Sequence, residues 1–232
     1  MPGPSPLPGP AAARSGMADP PPERGLLVTF EGIEGAGKST QVELLRRALA
    51  GHDPVVVREP GGTPLGERLR QLLLAPGPGP SPEAEMYLFM AARAELVARV
   101  IEPALAEGRI VIADRYHDST LAYQGGGRGL ATWWPAGFPR PRRTFLLDLP
   151  PELGLARRRR QGAPDRLEAE DLAFHRSVAN AYRELAAAEP GRFVRLDATR
   201  PAEELHARVM GEVAGLLPAS HGCRPPCPGP SP

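Results

Sequence analysis

Lysine is almost missing from this chain: of 28 basic residues, Lys38 alone is not arginine. Cysteine is nearly as scarce, with only Cys223 and Cys227. Two thiols cannot build a disulfide framework, so a reducing, cytoplasmic setting is expected. Aromatic residues make up only 5%. No apolar run approaches the ~18 residues of a membrane-spanning helix. An excess of one charge is absent too, since 28 Lys+Arg balance 27 Asp+Glu for a net charge of +1. That balance argues against a nucleic-acid coat or a polybasic membrane binder. What is present, 41% hydrophobic and 24% charged residues, is the composition of a soluble globular protein.

Proline is the opposite case, with 30 residues beside 26 glycines. Fourteen of those prolines fall in residues 1–24 and 218–232. Such ends cannot form a periodic hydrophobic face and lack backbone donors. They read as disordered tails around a core at 25–217. The N-terminal stretch has no apolar run of the signal-peptide kind, and Met17 offers an alternative start. Cys223 and Cys227 are too few ligands for a metal site.

Within the core, short apolar runs alternate with helical patterns. Leu26–Phe30, Val55–Val57, Ile110–Ala113, Phe145–Leu147 and Phe193–Leu196 read as strands. Between them, helices are expected after Ser39, over Leu65–Leu74, from Ser81 to about Ala106 with a kink at Pro103, and over 151–161, 168–188 and 201–217. Strands this apolar are buried on both faces, and helical crossovers imply a parallel sheet. The fold class is therefore α/β and three-layered, with ligands expected at the carboxyl ends of the strands. Polar residues gather there: Glu31, Arg58-Glu59, Asp114-Arg115 and Asp148.

The most informative stretch is Gly32-Ile33-Glu34-Gly35-Ala36-Gly37-Lys38-Ser39, followed by Thr40. It matches G-x-x-x-x-G-K-[ST] between an expected strand and an expected helix. The glycines let backbone N–H groups converge on phosphate oxygens, and the helix dipole adds positive charge. Lys38 reaches the outer phosphates, and the Ser39 hydroxyl is suited to ligate Mg²⁺. The sole lysine sits where a compact ammonium is the usual phosphate ligand. A guanine-reading N/T-K-x-D element is absent, because there is no second lysine and Asn180 is the only asparagine. The size suits a nucleotide or small-molecule kinase with a second substrate facing the first.

At this point the chain resembles the bacterial thymidylate kinases over nearly all of 25–217. The resemblance rests on FEGIEGAGKST, REPGGTPLGE, LFMAARAELV, DRYHDSTLAYQGGGRGL, LLDLPPELGLARRR, PDRLE and RFVRLDATRP, in the family's order. It implies a P-loop kinase fold with a five-stranded parallel sheet in the order 2-3-1-4-5 flanked by helices. It also implies phosphorylation of dTMP to dTDP with Mg-ATP, and a homodimer.

Family roles stand beside the physical reading of each residue. Arg58 and Arg115 end strands at the ligand edge, where a guanidinium grips a monophosphate bidentately; the alternative is a structural ion pair with Glu59 or Asp114. Asp114 is expected near the metal, and otherwise caps its strand. The resemblance implies that Glu34 accepts a hydrogen bond from the deoxyribose 3′-OH, that Phe89 stacks on thymine and that Arg93 bonds a base carbonyl. It further implies that Ser119, Tyr123 and Gln124 line the dTMP site. Tyr123 and Gln124 are read as preceding a turn at Gly125-Gly126-Gly127. Arg157-Arg158-Arg159-Arg160 either forms a solvated face or belongs to a lid at about 155–166. Gly35 stands where some relatives carry a basic residue, so the resemblance implies dependence on lid arginines, with Arg157 and Arg160 favoured although four adjacent arginines cannot be ranked from sequence. One stretch departs from the family: residues 130–143, where Pro135, Pro139 and Pro141 forbid a long helix. There Trp133-Trp134 is either core or cover for an altered interface. The expected chemistry is in-line transfer to an acceptor oxygen that is already anionic, with no strong general base. Two alternatives stay open: another nucleoside-monophosphate or deoxynucleoside kinase, and a nucleotide-binding regulator.

Overall fold

The computed structural model describes residues 24–160 and 162–217 of the 232. The expected tails, apart from Arg24, the alternative start at Met17 and the Cys223/Cys227 pair lie outside the described residues.

Five strands, β1 (Leu26–Glu31), β2 (Val55–Arg58), β3 (Ile110–Asp114), β4 (Arg143–Asp148) and β5 (Phe193–Asp197), form one parallel sheet in the order β2-β3-β1-β4-β5. The strand order expected from the resemblance is the one observed. In register, Phe30 of β1 and Arg58 of β2 both pair with Asp114 of β3. The polar residues that end these three strands therefore stand at one level along one edge.

Both faces are covered because alternate residues of the central strand are apolar. Val28 and Phe30 point into one layer with Leu45, Phe145, Val178 and Val209, while Leu27 points into the other with Leu96, Ile101, Val111 and Tyr116. The helices on these faces are α1 (Lys38–Ala48), α2 (Pro64–Leu74), α3 (Pro82–Leu96), α4 (Glu102–Ala106), α5 (His117–Thr120), α6 (Pro151–Arg159), α7 (Leu172–Ala188) and α8 (Ala202–Ala214). Ser81 caps α3 as expected, its hydroxyl accepting from the Ala84 N–H at 3.3 Å, with Pro82 in the first turn.

Three expectations are corrected. The anomaly expected at Pro103 lies one turn earlier, as a π-helical segment Val97–Ile101 joining α3 to α4. There the Glu102 N–H donates to the Val97 carbonyl, five residues back, which widens the helix ahead of a proline ring that has no N–H to give. The helix expected to begin at 168 begins at Leu172, where the Asp171 side chain accepts from the Phe174 N–H at 2.8 Å. The third correction concerns Gly125–Gly127, which are not a turn. They lie in a π-helical segment, Leu121–Gly127, that continues α5. A methyl group on Gly126 would collide with Ala181 of α7, and one on Gly127 would sit 2.6 Å from the Phe174 ring. The glycines are there so that two helices can touch, not so that the chain can reverse.

Residues 130–142 contain no regular helix or strand. Trp134 packs edge-on against Tyr116 and His117 and lies beneath the Arg140 and Arg192 guanidinium groups. It thereby covers a buried polar patch in which Arg192 grips Asp118 through two bonds of 2.6 and 2.9 Å. The two tryptophans divide: Trp134 is a core element and Trp133 is 52% exposed.

Candidate active site

One cavity of about 840 Å³ opens at the carboxyl edge of the sheet. Of the residues expected from the sequence to form the site, all but Gly32 and Ile33 line it. Those two contribute carbonyl oxygens instead. The Lys38 ammonium donates to the Gly32 carbonyl at 3.1 Å and to the Ile33 carbonyl at 2.8 Å. Burial, reinforced by the Arg115 charge, pushes the Lys38 amine down to about 8. Helix α1 starts at Lys38 with no side chain capping its N-terminus and no acidic residue in its first turn. Its free N–H groups and dipole are therefore left for an anion. Gly35 has φ +69°, and a Cβ there would strike the Gly154 carbonyl of α6. The loop and α6 thus meet backbone to backbone, which accounts for glycine at 35.

Next to the loop, the Ser39 hydroxyl donates to Asp114 Oδ2 at 2.6 Å. A hydroxyl and a carboxylate side by side are hard oxygen donors of the kind divalent cations prefer. Among the described residues no group of three or more His, Cys, Asp or Glu side chains could hold a metal ion. A cation here would complete its shell with phosphate and water, as Mg²⁺ commonly does.

Across from the loop lies a cationic face. Arg115 does not pair with Asp114. It adopts a left-handed backbone, φ +71°, a conformation that costs a non-glycine residue about 1–3 kcal/mol. The twist returns its guanidinium to the loop, where it donates to Glu34 Oε1 (2.9 Å), the Gly32 carbonyl (3.0 Å) and the Tyr123 hydroxyl (3.1 Å). The turn is held by Glu31, whose Oε1 accepts from the Tyr116 N–H (2.7 Å) and whose Oε2 accepts from Ser119 (2.6 Å) and Tyr182 (2.8 Å). Burial, together with the Asp118 charge, pushes the Glu31 carboxyl up to about 7. Glu34 goes the other way: burial raises it, but Arg115, Lys38 and the Tyr123 hydroxyl outweigh that and hold it below the usual carboxylate range. Arg58 pairs with Glu67, not Glu59, at 3.2 Å, and is half-exposed. Arg70, which sequence reasoning missed, lines the same wall and donates to the Pro60 carbonyl at 2.9 Å.

The far end of the cavity holds Phe89 and Arg93, one turn apart on α3. Arg93 is 1% exposed, and its N–H groups are engaged by Glu59 (2.6 Å), Thr120 (2.8 Å), the Tyr116 carbonyl (3.1 Å) and His117 Nδ1 (3.3 Å). The His117 Nε2–H donates to the Trp133 carbonyl at 2.7 Å, which leaves Nδ1 as the acceptor. Burial and the Arg93 charge keep that imidazole neutral, pushed down to about 3. The Gln124 amide donates to Glu85 Oε1 at 2.9 Å. Glu85 also accepts from Arg128 and Arg166, so it ties the far end of the cavity to the segment that follows α6. The sequence carried a signal for it: Glu85, Phe89 and Arg93 are spaced four apart on one helix face.

The arginine run is divided by its contacts. Arg157, Arg158 and Arg160 line the cavity and Arg159 does not. Arg157 donates to the Ala198 carbonyl at 3.1 Å and Arg158 to Glu168 at 2.6 Å. Among the described residues nothing engages Arg160.

A phosphate loop on the central strand, a hydroxyl–carboxylate pair beside it and an arginine-lined second compartment in the same cavity define a P-loop kinase acting on a phosphorylated acceptor. The comparisons narrow that class. The thymidylate kinase family model matches residues 30–209. The thymidylate kinase of Deinococcus radiodurans is 51% identical over 200 residues, covering 82% of this chain and 97% of that protein. That of Halothermothrix orenii is 47% identical over 208 residues, covering 84% and 99%. The crystal structure of thymidylate kinase from Ehrlichia chaffeensis superimposes with a TM-score of 0.65 at 29% identity, over 82% of this chain and 99% of that one. The chain belongs to the thymidylate kinase family.

Proposed function

We propose the following division of labour for the reaction this chain catalyses, the ATP-dependent phosphorylation of dTMP to dTDP on the way to dTTP. The observation that carries it is the single cavity shared by the Lys38 loop and the Phe89–Arg93–Gln124 pocket. ATP phosphates lie on the N–H groups of the loop and α1, with Lys38 on the outer oxygens. The dTMP phosphate is gripped by Arg58 and Arg115, with Arg70 on the same wall. Thymine stacks on Phe89 against Arg93 and Gln124, Tyr123 packs on the sugar and Glu34 receives the 3′-OH. Mg²⁺ fits beside Ser39 and Asp114, where it would supply charge neutralisation for the donor phosphates.

The acceptor oxygen attacks the γ-phosphorus in line as the bond to the β-γ bridging oxygen breaks. A phosphate monoester has its second pKa at about 6, so the attacking oxygen carries no proton to remove near neutral pH. The protein's part is positioning and charge: Lys38, Arg115 and the arginines of a lid at about 155–166 face the oxygens that gain negative charge. Closure of that lid excludes water. No helix of the described residues is long and apolar enough to cross a membrane. A cytoplasmic homodimer is the proposed working form, and exposed Leu65 and Leu72 of α2 with Tyr87 of α3 offer an apolar face for it.

A coupled assay with dTMP, dUMP, dCMP and dGMP tests the reading. dTMP should lead, with dUMP poor but detectable, because rejecting a base that lacks one methyl group is worth only about 1–3 kcal/mol. Strongest activity on a purine acceptor would refute it.

A further inference from the structure

Buried polar atoms almost always have hydrogen-bond partners. Here, three that lack one meet in a single place beside the phosphate loop: Glu34 Oε2 and both ring nitrogens of His175. His175 lies on α7 and is 1% exposed. Its Nδ1 stands 3.6 Å from Glu34 Oε2, about half an ångström beyond a hydrogen bond. The other Glu34 oxygen is committed, receiving the Tyr123 hydroxyl at 2.6 Å and Arg115 at 2.9 Å. The ring cannot drift far, because it packs edge-on against Phe174, which packs edge-on against Tyr123.

We infer that His175 is a positioning residue of the acceptor site. With dTMP bound, its Nδ1–H closes onto Glu34 Oε2 and fixes the carboxylate that receives the 3′-hydroxyl. This rests on the reading of Glu34 given above. Donor and acceptor match: the imidazole donates through Nδ1, and the carboxylate has lone pairs to accept both that bond and the one from the sugar. No proton changes owner. A hydrogen bond to a charged group corresponds to roughly a ten- to hundredfold change in an equilibrium, which sets the size of the expected effect.

The test compares dTMP with its 3′-deoxy analogue, 2′,3′-dideoxythymidine 5′-monophosphate, as acceptors. His175→Phe keeps a flat ring and removes the donor; His175→Asn restores an N–H near the position of Nδ1. His175→Phe should lower kcat/KM for dTMP about tenfold and leave the analogue nearly unchanged, with His175→Asn close to wild type. Equal losses on both acceptors, or no loss on either, overturn the inference. Glu34→Gln separates it from the reading beneath it. If that variant erases the preference for dTMP while His175→Phe does not, the role of Glu34 stands and that of His175 falls; if it leaves the preference intact, both fall. Should His175→Phe fail to fold, ¹⁵N NMR of the wild-type imidazoles decides. Adding dTMP should fix His175 in its Nδ1–H form, and an unchanged ring spectrum overturns the inference.

Discussion

Raising the pH from about 7 to about 9 perturbs Lys38 in the free enzyme. The residue is 8% exposed, its ammonium leans on two carbonyls, and among the described residues no carboxylate is bonded to it; burial brings its pKa to about 8. Negative phosphate groups placed beside it restore the charged form. ATP binding above pH 8 must therefore take a proton from solvent. Near pH 8 half of the lysines are protonated, so uptake should be about half a proton per ATP, rising toward about one near pH 9. The protonated fraction falls from about ten in eleven at pH 7 to about one in eleven at pH 9, so affinity should weaken about tenfold. Calorimetry in two buffers of different ionisation enthalpy reads this directly. At pH 8 and above the other perturbed groups around Lys38 leave the window clear: Glu31, raised to about 7, has already largely lost its proton, and the Tyr123 hydroxyl lies well above its ordinary value. ATP itself is essentially fully ionised from about pH 8 upward. An enthalpy independent of buffer at pH 8, or proton release, would refute the reasoning. Lys38→Met should abolish the uptake along with most of the affinity.

Gly126→Ala should cost about 1–3 kcal/mol by overpacking, because its methyl group meets Ala181; a urea melt measures it, and an unchanged midpoint would mean the two helices do not touch. Glu31 binds its proton more tightly folded than unfolded, so the stability it contributes is complete below about pH 4.5 and is lost as pH rises through about 7. The loss is on the order of 3 kcal/mol, and Glu31→Gln should flatten the stability curve across that window; parallel curves for the two proteins would exclude it. Arg160→Ala should lower kcat by up to ~10³ with little change in KM for dTMP. Arg159→Ala, outside the cavity, should be near wild type; the reverse ranking would remove Arg160 from the chemistry.

The strands were readable because sequences such as IVIA and FLLD have one plausible home, a sheet covered on both sides. The phosphate loop was readable because its geometry depends on backbone and spacing. What escaped was set by contacts between distant segments. Three glycines in a row suggest a turn by local rules, and only the approach of α7 turns Gly125–Gly127 into helix. Arg58 was weighed against its neighbour Glu59, yet Glu59 belongs to Arg93 and Arg58 to Glu67. His175, Val178 and Tyr182 share one face of α7 by their spacing. That face reads as core until the fold shows that its polar members end beside Glu31 and Glu34.

The saturated guanidinium of Arg93 has a consequence for redesign. A cation clasped by four neighbours is architecture as much as recognition, so loosening any one of Glu59, Thr120 or His117 disturbs the rest. Libraries that vary these positions singly will mostly return damaged proteins. Retargeting the enzyme to an unnatural pyrimidine calls for exchanging the whole clasp in concert.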